Sequence, residues 1–199
     1  MSEYIIKGGK SIGGEVEISG SKNAALPIIA ATILNGGKTT LYNVPNIHDT
    51  QMMFEILKKI GGEVTKKSNK VIIDTSKINK YEIPEDLMRQ MRSSVIFVGG
   101  LIGRHKKAVF SYPGGCDIGT RPIELHLKAF EKLGININKN YGNIECSCDK
   151  IVGEKIDLEF PSVGATENAI LASCLAERYN NNNKCSKRAW NYWFTKFLK

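Results

Sequence analysis

Two long stretches of the sequence align with each other, and this internal repeat limits the possible folds more than any other feature. The first stretch runs from Ile29 to Val64 and the second from Val98 to Ile137. In each, an apolar helix ends in a basic, glycine-containing turn, and a short strand, a proline, a loop and an amphipathic helix come next. The offset is 68 residues between Pro45 and Pro113, which is too long for the common solenoid repeats. The repeat therefore predicts a pseudo-symmetric α/β domain.

A third copy of the repeat begins at Phe160–Glu177 and breaks off after one helix. The fold class predicted on this basis is an α/β domain with a pseudo-threefold repeat and an incomplete third unit. Alternating or β-branched residues at regular places in the first two units predict strands. These strands cover Thr39–Val44, Val71–Asp74, Ala108–Tyr112 and Ile144–Cys148.

The first helix has recognisable start and stop signals. Ser21 is a suitable N-cap for a helix that begins near Asn23, and Gly36 or Gly37 is suited to end it. Pro27 is expected near the first turn, where a missing amide hydrogen is tolerated.

A later helix is predicted just after residues 116–121. Pro122 is placed near its first position, and Glu124 falls in the first turn, where a negative charge is favourable. An apolar stripe at helical spacing predicts its buried face. The stripe consists of Ile123, Leu127, Phe130 and Leu133.

Composition is ordinary for a globular protein, with 42% hydrophobic and 24% charged residues. No apolar run is long enough for a membrane helix or a signal peptide, so we expect a cytoplasmic protein. The formal net charge is +8, yet the last 22 residues contribute six of these positive charges and no acidic residue. The rest of the chain is nearly neutral at +2, which argues against a nucleic-acid-binding domain. The six basic residues are Arg178, Lys184, Lys187, Arg188, Lys196 and Lys199.

The segment after Glu177 differs in character from the rest of the chain. It contains an asparagine run and both tryptophans of the protein, Trp190 and Trp193, without apolar periodicity. AT-rich codons chosen for this segment, when read one base later, give KDIIIIINAAKEPGIIGLQNFL. That shifted peptide has a strand-like isoleucine run followed by a turn and an apolar-periodic segment. We therefore expect a change of reading frame after Glu177, and a natural polar tail is the alternative.

The five cysteines are odd in number and irregularly spaced, which favours reduced thiols over a disulfide framework. Cys146 and Cys148 alternate within a predicted strand, so we expect a shared strand face and no metal site. Cys116 differs because it lies on a glycine-flanked loop, five residues before Arg121 and just ahead of a helix. Positive charge and a helix N-terminus favour a thiolate, so Cys116 is a candidate reactive residue.

Basic or small residues recur where the apolar helices begin. Lys22 precedes the first helix, Arg92 takes the same place in the second unit, and the segment 162–166 opens the third helix. Most surface lysines are only solvated, but the recurrence favours a shared function. Helix N-termini attract anions, so three that converge would form an anion-binding face. The three histidines show no spacing suited to metal ligands, and His126 is expected to be structural.

Three motifs together identify a family resemblance: SGSKNAALP, PGGCDIGTRP followed by IELHL, and SVGATEN. They resemble the UDP-N-acetylglucosamine 1-carboxyvinyltransferases, over essentially residues 1–177 and in order. The related 5-enolpyruvylshikimate-3-phosphate synthases share the fold but lack the cysteine loop. The resemblance implies a fold of the inside-out α/β barrel type. It also implies a second, similar domain, with the active site in the cleft between the two.

The resemblance further implies transfer of an enolpyruvyl group from phosphoenolpyruvate to the 3′-hydroxyl of UDP-N-acetylglucosamine, with release of phosphate, in peptidoglycan precursor synthesis. Cys116 matches the loop cysteine that acts as a general acid and is alkylated by fosfomycin. The residues matching phosphoenolpyruvate ligands are Lys22, Asn23 and Arg121. The residues matching UDP-sugar ligands are Arg92, Arg121, Pro122, Ile123, Glu124, Leu125, Ser162, Val163 and Gly164. No cofactor or metal is implied.

Three regions follow from these observations. Residues 1–20 are expected to be a strand segment that packs on the second domain, 21–177 the incomplete repeat domain, and 178–199 an aberrant basic tail. The base expected to act on the sugar hydroxyl belongs to the second domain, so we expect this chain alone to have little or no activity. A non-enzymatic fragment whose basic tail binds nucleic acid or anionic surfaces is the alternative.

Overall fold

A computed structural model of the chain describes residues 3–9, 11, 13–114, 123–153, 155–176, 181–183 and 196–198. The α-helices among these residues are α1 (Lys22–Asn35), α2 (His48–Lys59), α3 (Glu85–Gln90), α4 (Ile96–His105), α5 (Glu124–Lys132) and α6 (Val163–Ser173). The strands are β1 (Lys38–Tyr42), β2 (Glu63–Lys67), β3 (Lys70–Asp74), β4 (Lys107–Ser111), β5 (Asn136–Asn140), β6 (Asn143–Ser147), β7 (Lys155–Asp157) and β8 (Asn181–Asn183). A 3-10 helix at Arg92–Val95 leads into α4.

The first two repeat units have the same order and the same sheet topology. Each runs helix, strand, helix, strand, strand, and each folds a three-stranded antiparallel sheet with its last strand in the middle. The sheets are ordered β1-β3-β2 and β4-β6-β5. Leu41 is opposite Val71 in the first sheet, and Phe110 is opposite Ile144 in the second. The predicted strands are therefore confirmed, with boundaries shifted by one or two residues.

The third unit continues the same pattern for one strand. The bridge between Glu82 and Val109 is parallel and joins the segment before α4 to β4. The strand β7 pairs in parallel with β8, with Ile156 opposite Asn182. In both cases the segment before a central helix pairs with the strand after it, so β8 takes the place that β4 has in the second unit. It lies within the region predicted to be an aberrant tail.

Three central helices, α1, α4 and α6, form the middle of the core. Their described side chains are buried on nearly all sides, which is typical of helices enclosed by other elements. Glycines allow two of them to approach closely. A Cβ atom on Gly99 would lie 2.6 Å from the backbone oxygen of Asn168, and one on Gly103 would lie 2.8 Å from the carbonyl oxygen of Leu171.

The amphipathic helices α2 and α5 pack their apolar faces onto the central helices. Met53, Phe54 and Leu57 of α2 are buried. The predicted stripe of α5 is confirmed, since Ile123, Leu127, Phe130 and Leu133 are all almost completely buried. The charged faces of both helices are exposed to solvent. Apolar and polar residues therefore recur at helical spacing along each helix.

The start of α1 differs from the prediction in two respects. Ser21 occupies the N-cap position, but its side chain makes no capping hydrogen bond. Pro27 lies inside the helix in its second turn and not in the first, so the carbonyl of Asn23 receives no amide hydrogen from residue 27. The end is as predicted, because Gly36 adopts the left-handed conformation with φ of 63°.

The N-terminal segment lies apart from this core. Residues 3–9, 11 and 13–20 form neither helix nor strand, and the apolar side chains of Tyr4, Ile6 and Ile18 are more than 80% exposed. Within the described part of the chain, no helix is both long and apolar enough to cross a membrane.

The cysteines that the structure describes are free thiols. Cys146 in β6 is buried, and Cys148, one residue beyond the end of β6, is half-buried against the same core. Cys174 caps the end of α6 and is exposed there. Among the described residues, no cluster of histidine, cysteine and acidic side chains is suited to hold a metal ion.

Candidate ligand-binding cavity

One cavity of about 720 Å³ opens where the N-terminal turns of several helices meet. It brings together the start of α1, the 3-10 helix before α4, the start of α5 and the start of α6. The sequence-predicted residues that line it are Asn23, Arg92, Glu124, Leu125, Ser162, Val163 and Gly164. The other lining residues are Leu26, Pro27, Ser93, Val95, Ile96, His126, Phe160, Pro161 and Glu167. Residues from distant parts of the sequence thus share one cavity.

The start of α1 is fixed by a close contact between two loops. The backbone N–H of Gly20 donates to the side-chain oxygen of Asn43 at 3.1 Å, and a Cβ on Gly20 would lie 1.9 Å from the Asn43 carbonyl oxygen. Only glycine permits this approach. Lys22 comes two residues later and forms a 2.8 Å ion pair with Asp49 in the first turn of α2. Lys22, a predicted ligand residue, does not line the cavity and is held by Asp49 instead, whereas Asn23 lies in the cavity wall.

Arg92 begins the corresponding turn of the second unit. It is half-buried, and the 3-10 helix that carries it is held by the Ser94 hydroxyl, which donates to the carbonyl of Met88 at 2.9 Å. The positive charge of Arg92 contributes to lowering the pKa of His126 across the cavity. Arg92 thus provides a fixed cation close to the start of α5.

His126 belongs to a buried hydrogen-bond network that links three helices. The amide nitrogen of Asn168 lies 2.9 Å from the carbonyl of Val95 and 2.8 Å from Nδ1 of His126, while its oxygen accepts from the N–H of Gly99 at 2.8 Å. Because the amide donates to Nδ1, the proton of the neutral ring is on Nε2. Burial, aided by Arg92, lowers the pKa of His126 to about 4. His126 is thus a structural residue, as predicted, and it also lines the cavity.

The start of α6 supplies the most regular helix N-terminus. The Ser162 side chain accepts a hydrogen bond from the backbone N–H of Ala165, which leaves the first amides of the helix directed at the cavity. Gly164 lies against the imidazole ring, since a Cβ there would be 3.1 Å from Cε1 of His126. A partial positive charge at this end of the helix favours an anion.

Glu167 is an acidic residue that sequence reasoning missed. It is only 6% exposed, it lines the cavity, and burial raises the pKa of its carboxyl to about 8. A signal for it was present, because Glu167 comes four positions after Val163 and three after Gly164 on one helix face. It is the one acidic residue in an otherwise uncharged helix.

Three predicted residues lie outside the described part of the chain: Cys116, Arg121 and Pro122. The beginning of their loop is described and is tied to α3. The N–H of Gly114 donates to the carbonyl of Met88 at 3.2 Å, and a Cβ on Gly114 would lie 1.8 Å from the carbonyl oxygen of Arg89. On the other side of the loop, Ile123 is buried as the N-cap residue of α5 and does not line the cavity.

The wall between the polar groups is apolar. Leu26 and Pro27 of α1, with Val95 and Ile96 before and in α4, form this part of the cavity. Sequence analysis did not identify these residues as wall residues, because periodicity does not distinguish a cavity wall from packed interior. The arrangement suits a ligand that has both anionic groups and uncharged polar or apolar parts.

The sequence matches a family model over residues 6–185, described as EPSP synthase (3-phosphoshikimate 1-carboxyvinyltransferase). Since the match covers most of the chain, the protein belongs to this family of enolpyruvyl transferases. The fold agrees with that assignment. The enolpyruvyl transferase NikO from Streptomyces tendae superposes with a TM-score of 0.82 over 96% of this chain and 45% of its own, at 20% identity. The EPSP synthase from Acinetobacter baumannii superposes with a TM-score of 0.60 at 16% identity, over 82% of this chain and 39% of its own.

Curated relatives show which named enzymes of the family this chain resembles. UDP-N-acetylglucosamine 1-carboxyvinyltransferase 2 of Caldanaerobacter subterraneus subsp. tengcongensis is 50% identical over 177 residues, which are 89% of this chain and 42% of the relative. The protein of the same name from Clostridium tetani is 49% identical over 179 residues, 89% of this chain and 43% of its own length. The chain therefore spans less than half the length of the curated relatives that it matches.

Proposed function

We propose that this chain provides one substrate-binding half of an enolpyruvyl transferase that acts on phosphoenolpyruvate and UDP-N-acetylglucosamine. The observation that carries the proposal is the convergence of four helix starts on one cavity, with Asn23, Arg92 and Ser162–Gly164 in its wall. Relatives at 49–50% identity that are named for this activity support the choice of substrates.

The chemistry of the two substrates suits this cavity. Phosphoenolpyruvate carries a phosphate and a carboxylate, and the nucleotide sugar carries a diphosphate. Backbone amides at helix starts and fixed cations bind such groups well, and they stabilise charge that develops during the reaction. In this proposal Lys22, Asn23 and Arg121 hold phosphoenolpyruvate. Arg92, the segment 121–125 and the segment 162–164 hold the nucleotide sugar.

The proposed reaction has two steps. The sugar 3′-hydroxyl adds to C2 of phosphoenolpyruvate and gives its proton to a base of the second domain, while C3 takes a proton. Phosphate then leaves as a proton is removed from C3. Cys116 is proposed as the acid that supplies the proton to C3. A thiol gives up that proton more readily beside a cation such as Arg121.

In this proposal a further part of the protein completes the active site. The curated relatives are more than twice as long as their matched segment. The exposed apolar side chains of residues 3–19 support a role as a strand that packs on that further part. We therefore propose that the 199-residue chain binds the nucleotide sugar and turns over little or none of it.

Calorimetric titration of the full chain with UDP-N-acetylglucosamine tests this proposal. Saturable binding is expected, and Arg92→Ala should weaken it about tenfold or more, because a charged hydrogen-bond donor to the ligand is lost. Lys58→Ala, on the exposed side of α2, is the matched control and should leave the affinity unchanged. A second arm measures release of phosphate with both substrates present.

Two results would contradict the proposal. Absence of nucleotide-sugar binding at millimolar concentration would remove the binding function from this cavity. Phosphate release at the rate of a complete enzyme would show that the chain needs no second half.

A further inference from the structure

Glu167 is a buried acid without a partner in the described part of the protein. It is only 6% exposed, and within the described ranges no hydrogen bond or ion pair reaches its carboxyl group. A carboxyl group that faces a largely apolar cavity without a hydrogen-bond partner is destabilising, more so when it is charged. Such a group is retained at low cost when a ligand completes its hydrogen bonds, and Glu167 opens onto the cavity.

The position of Glu167 on α6 directs it toward the start of the helix. Side chains on a helix tilt toward its N-terminus, so the carboxyl lies over Val163 and Gly164, which are also in the cavity wall. The apolar side chains of Leu26 and Ile96 belong to the same cavity. Glu167 is thus the acidic group closest in sequence to the proposed anion-binding amides, yet it lies in a largely apolar surrounding.

The surroundings favour the neutral acid. Burial raises the pKa of the Glu167 carboxyl to about 8, and burial is the cause of that shift. Arg92, Glu124 and His126 are the other charged or titratable groups of the cavity wall, and His126 is neutral there. A neutral carboxyl donates one hydrogen bond and accepts others, which matches a hydroxyl or an amide and avoids repulsion of an anionic ligand.

We propose that Glu167 is a specificity-determining residue that hydrogen-bonds an uncharged polar group, a hydroxyl or the acetamide, on the sugar part of the ligand. This inference rests on the proposed function. It assigns the sugar to the part of the cavity next to Glu167, about one helical turn after the start of α6. The phosphates then lie at the helix amides and Arg92. Ionisation of Glu167 would place an unpaired negative charge beside an anionic ligand and weaken binding.

The test compares UDP-N-acetylglucosamine with UDP, which lacks the sugar. Calorimetry on the full chain at pH 7 gives the affinity of each for wild type, Glu167→Gln and Glu167→Leu. The leucine variant is expected to weaken UDP-N-acetylglucosamine about tenfold or more and to change UDP less than about twofold. The glutamine variant, which still donates and accepts, should remain within about threefold of wild type. Glu55→Gln, on the exposed side of α2, is the matched control.

A pH series separates a binding role from a structural one. Between pH 7 and 9 the affinity of wild type for UDP-N-acetylglucosamine should fall more than that of Glu167→Gln, since the ligand and the other titratable groups of the wall are common to both measurements. Circular dichroism confirms that each variant is folded.

The outcomes distinguish this inference from the proposed function. If folded wild type binds neither ligand, the proposed function fails and the inference falls with it. If wild type binds but Glu167→Leu leaves both affinities unchanged, or lowers both equally, only the assignment of Glu167 to the sugar is overturned.

Discussion

The first two repeat units differ from the third in the elements that come after the central helix. After α1 and α4 the chain builds a strand, an amphipathic helix and a hairpin that together bury an apolar sheet face. After α6, the described residues add only β8, which pairs with β7. The start of α6 nevertheless lines the cavity, as do the starts of the other two central helices. The cavity therefore depends on packing among the central helices, whereas the sheets around them serve stability.

The largest expected effect contrasts strands of the second and third units. Phe110 in β4 is buried, and Phe110→Ala should lower the free energy of unfolding by about 3–5 kcal/mol, because a large cavity is left in the core. Asp157, an exposed residue of β7 in the third unit, should change it by less than about 0.5 kcal/mol when replaced by alanine. Urea denaturation of the two variants measures both values. Equal losses would contradict the placement of Phe110 in the core.

A second expected effect concerns the bond between the second and third units at His126 and Asn168. The pKa of His126 is lowered to about 4 in the folded protein, against 6.5 for an ordinary histidine. The folded state therefore binds fewer protons than the unfolded state in this interval. The contribution of His126 to the free energy of unfolding is therefore complete above about pH 6.5. It is lost as the pH falls toward 4, which lowers the free energy of unfolding by up to about 3 kcal/mol.

Titration of the imidazole proton resonances checks this expectation. The His126 resonance should have its midpoint near pH 4. The midpoint in the Asn168→Leu variant, which lacks the hydrogen bond to Nδ1 of His126, measures the contribution of that bond. A midpoint near 6.5 would contradict a buried, neutral ring that joins the two units.

A smaller effect tests how the first unit positions the start of α1. Gly20→Ala forces a Cβ against the Asn43 carbonyl oxygen and should cost about 1–3 kcal/mol of stability through backbone displacement. Because Asn23 of the cavity wall is only three residues further along the chain, nucleotide-sugar affinity should also fall. Gly13→Ala is the control, since no atom lies within 4 Å of the added Cβ. Stability and affinity unchanged in Gly20→Ala would mean that this loop contact does not position the helix.

The smallest effect sharpens the contrast at β8. Asparagine is poorly suited to strands and valine is well suited, so replacing Asn181–Asn183 with valine should raise stability by about 1 kcal/mol. Thermal denaturation should show a higher midpoint for the substituted chain. A lower midpoint would indicate that the asparagines are needed where they stand.

The parts of the fold that follow from periodicity were predictable from sequence. The stripe from Ile123 to Leu133 and the strands that contain Leu41 and Phe110 follow from helical spacing and alternation, whereas the pairing of the strands was not predicted. The missing Ser21 cap bond and the place of Pro27 within α1 were not, because they depend on the exact residue at which the helix starts. Helix boundaries are the least certain part of such predictions.

The residues of the cavity likewise divide into those that the sequence predicted and those that it did not. Asn23, Arg92 and Ser162–Gly164 were predicted as ligand residues and lie in one wall, and their roles remain predictions. Glu167 was missed because its significance depends on burial and on its lack of a partner among the described residues, which only tertiary contacts reveal. The hydrogen bonds of Asn168 to two other helices were hidden for the same reason.

Mapping of UDP-N-acetylglucosamine binding by backbone amide chemical shifts tests the central claim most directly. The claim is that the starts of the central helices form one ligand-binding cavity although the third unit is incomplete in the described chain. Titration should shift the amides of Asn23, Ser93 and Val163–Gly164 together, with one affinity, and leave the sheet residues Thr65 and Asn138 unmoved. Shifts confined to the outer sheets or to the exposed residues 3–9, with the helix starts unaffected, would contradict the account.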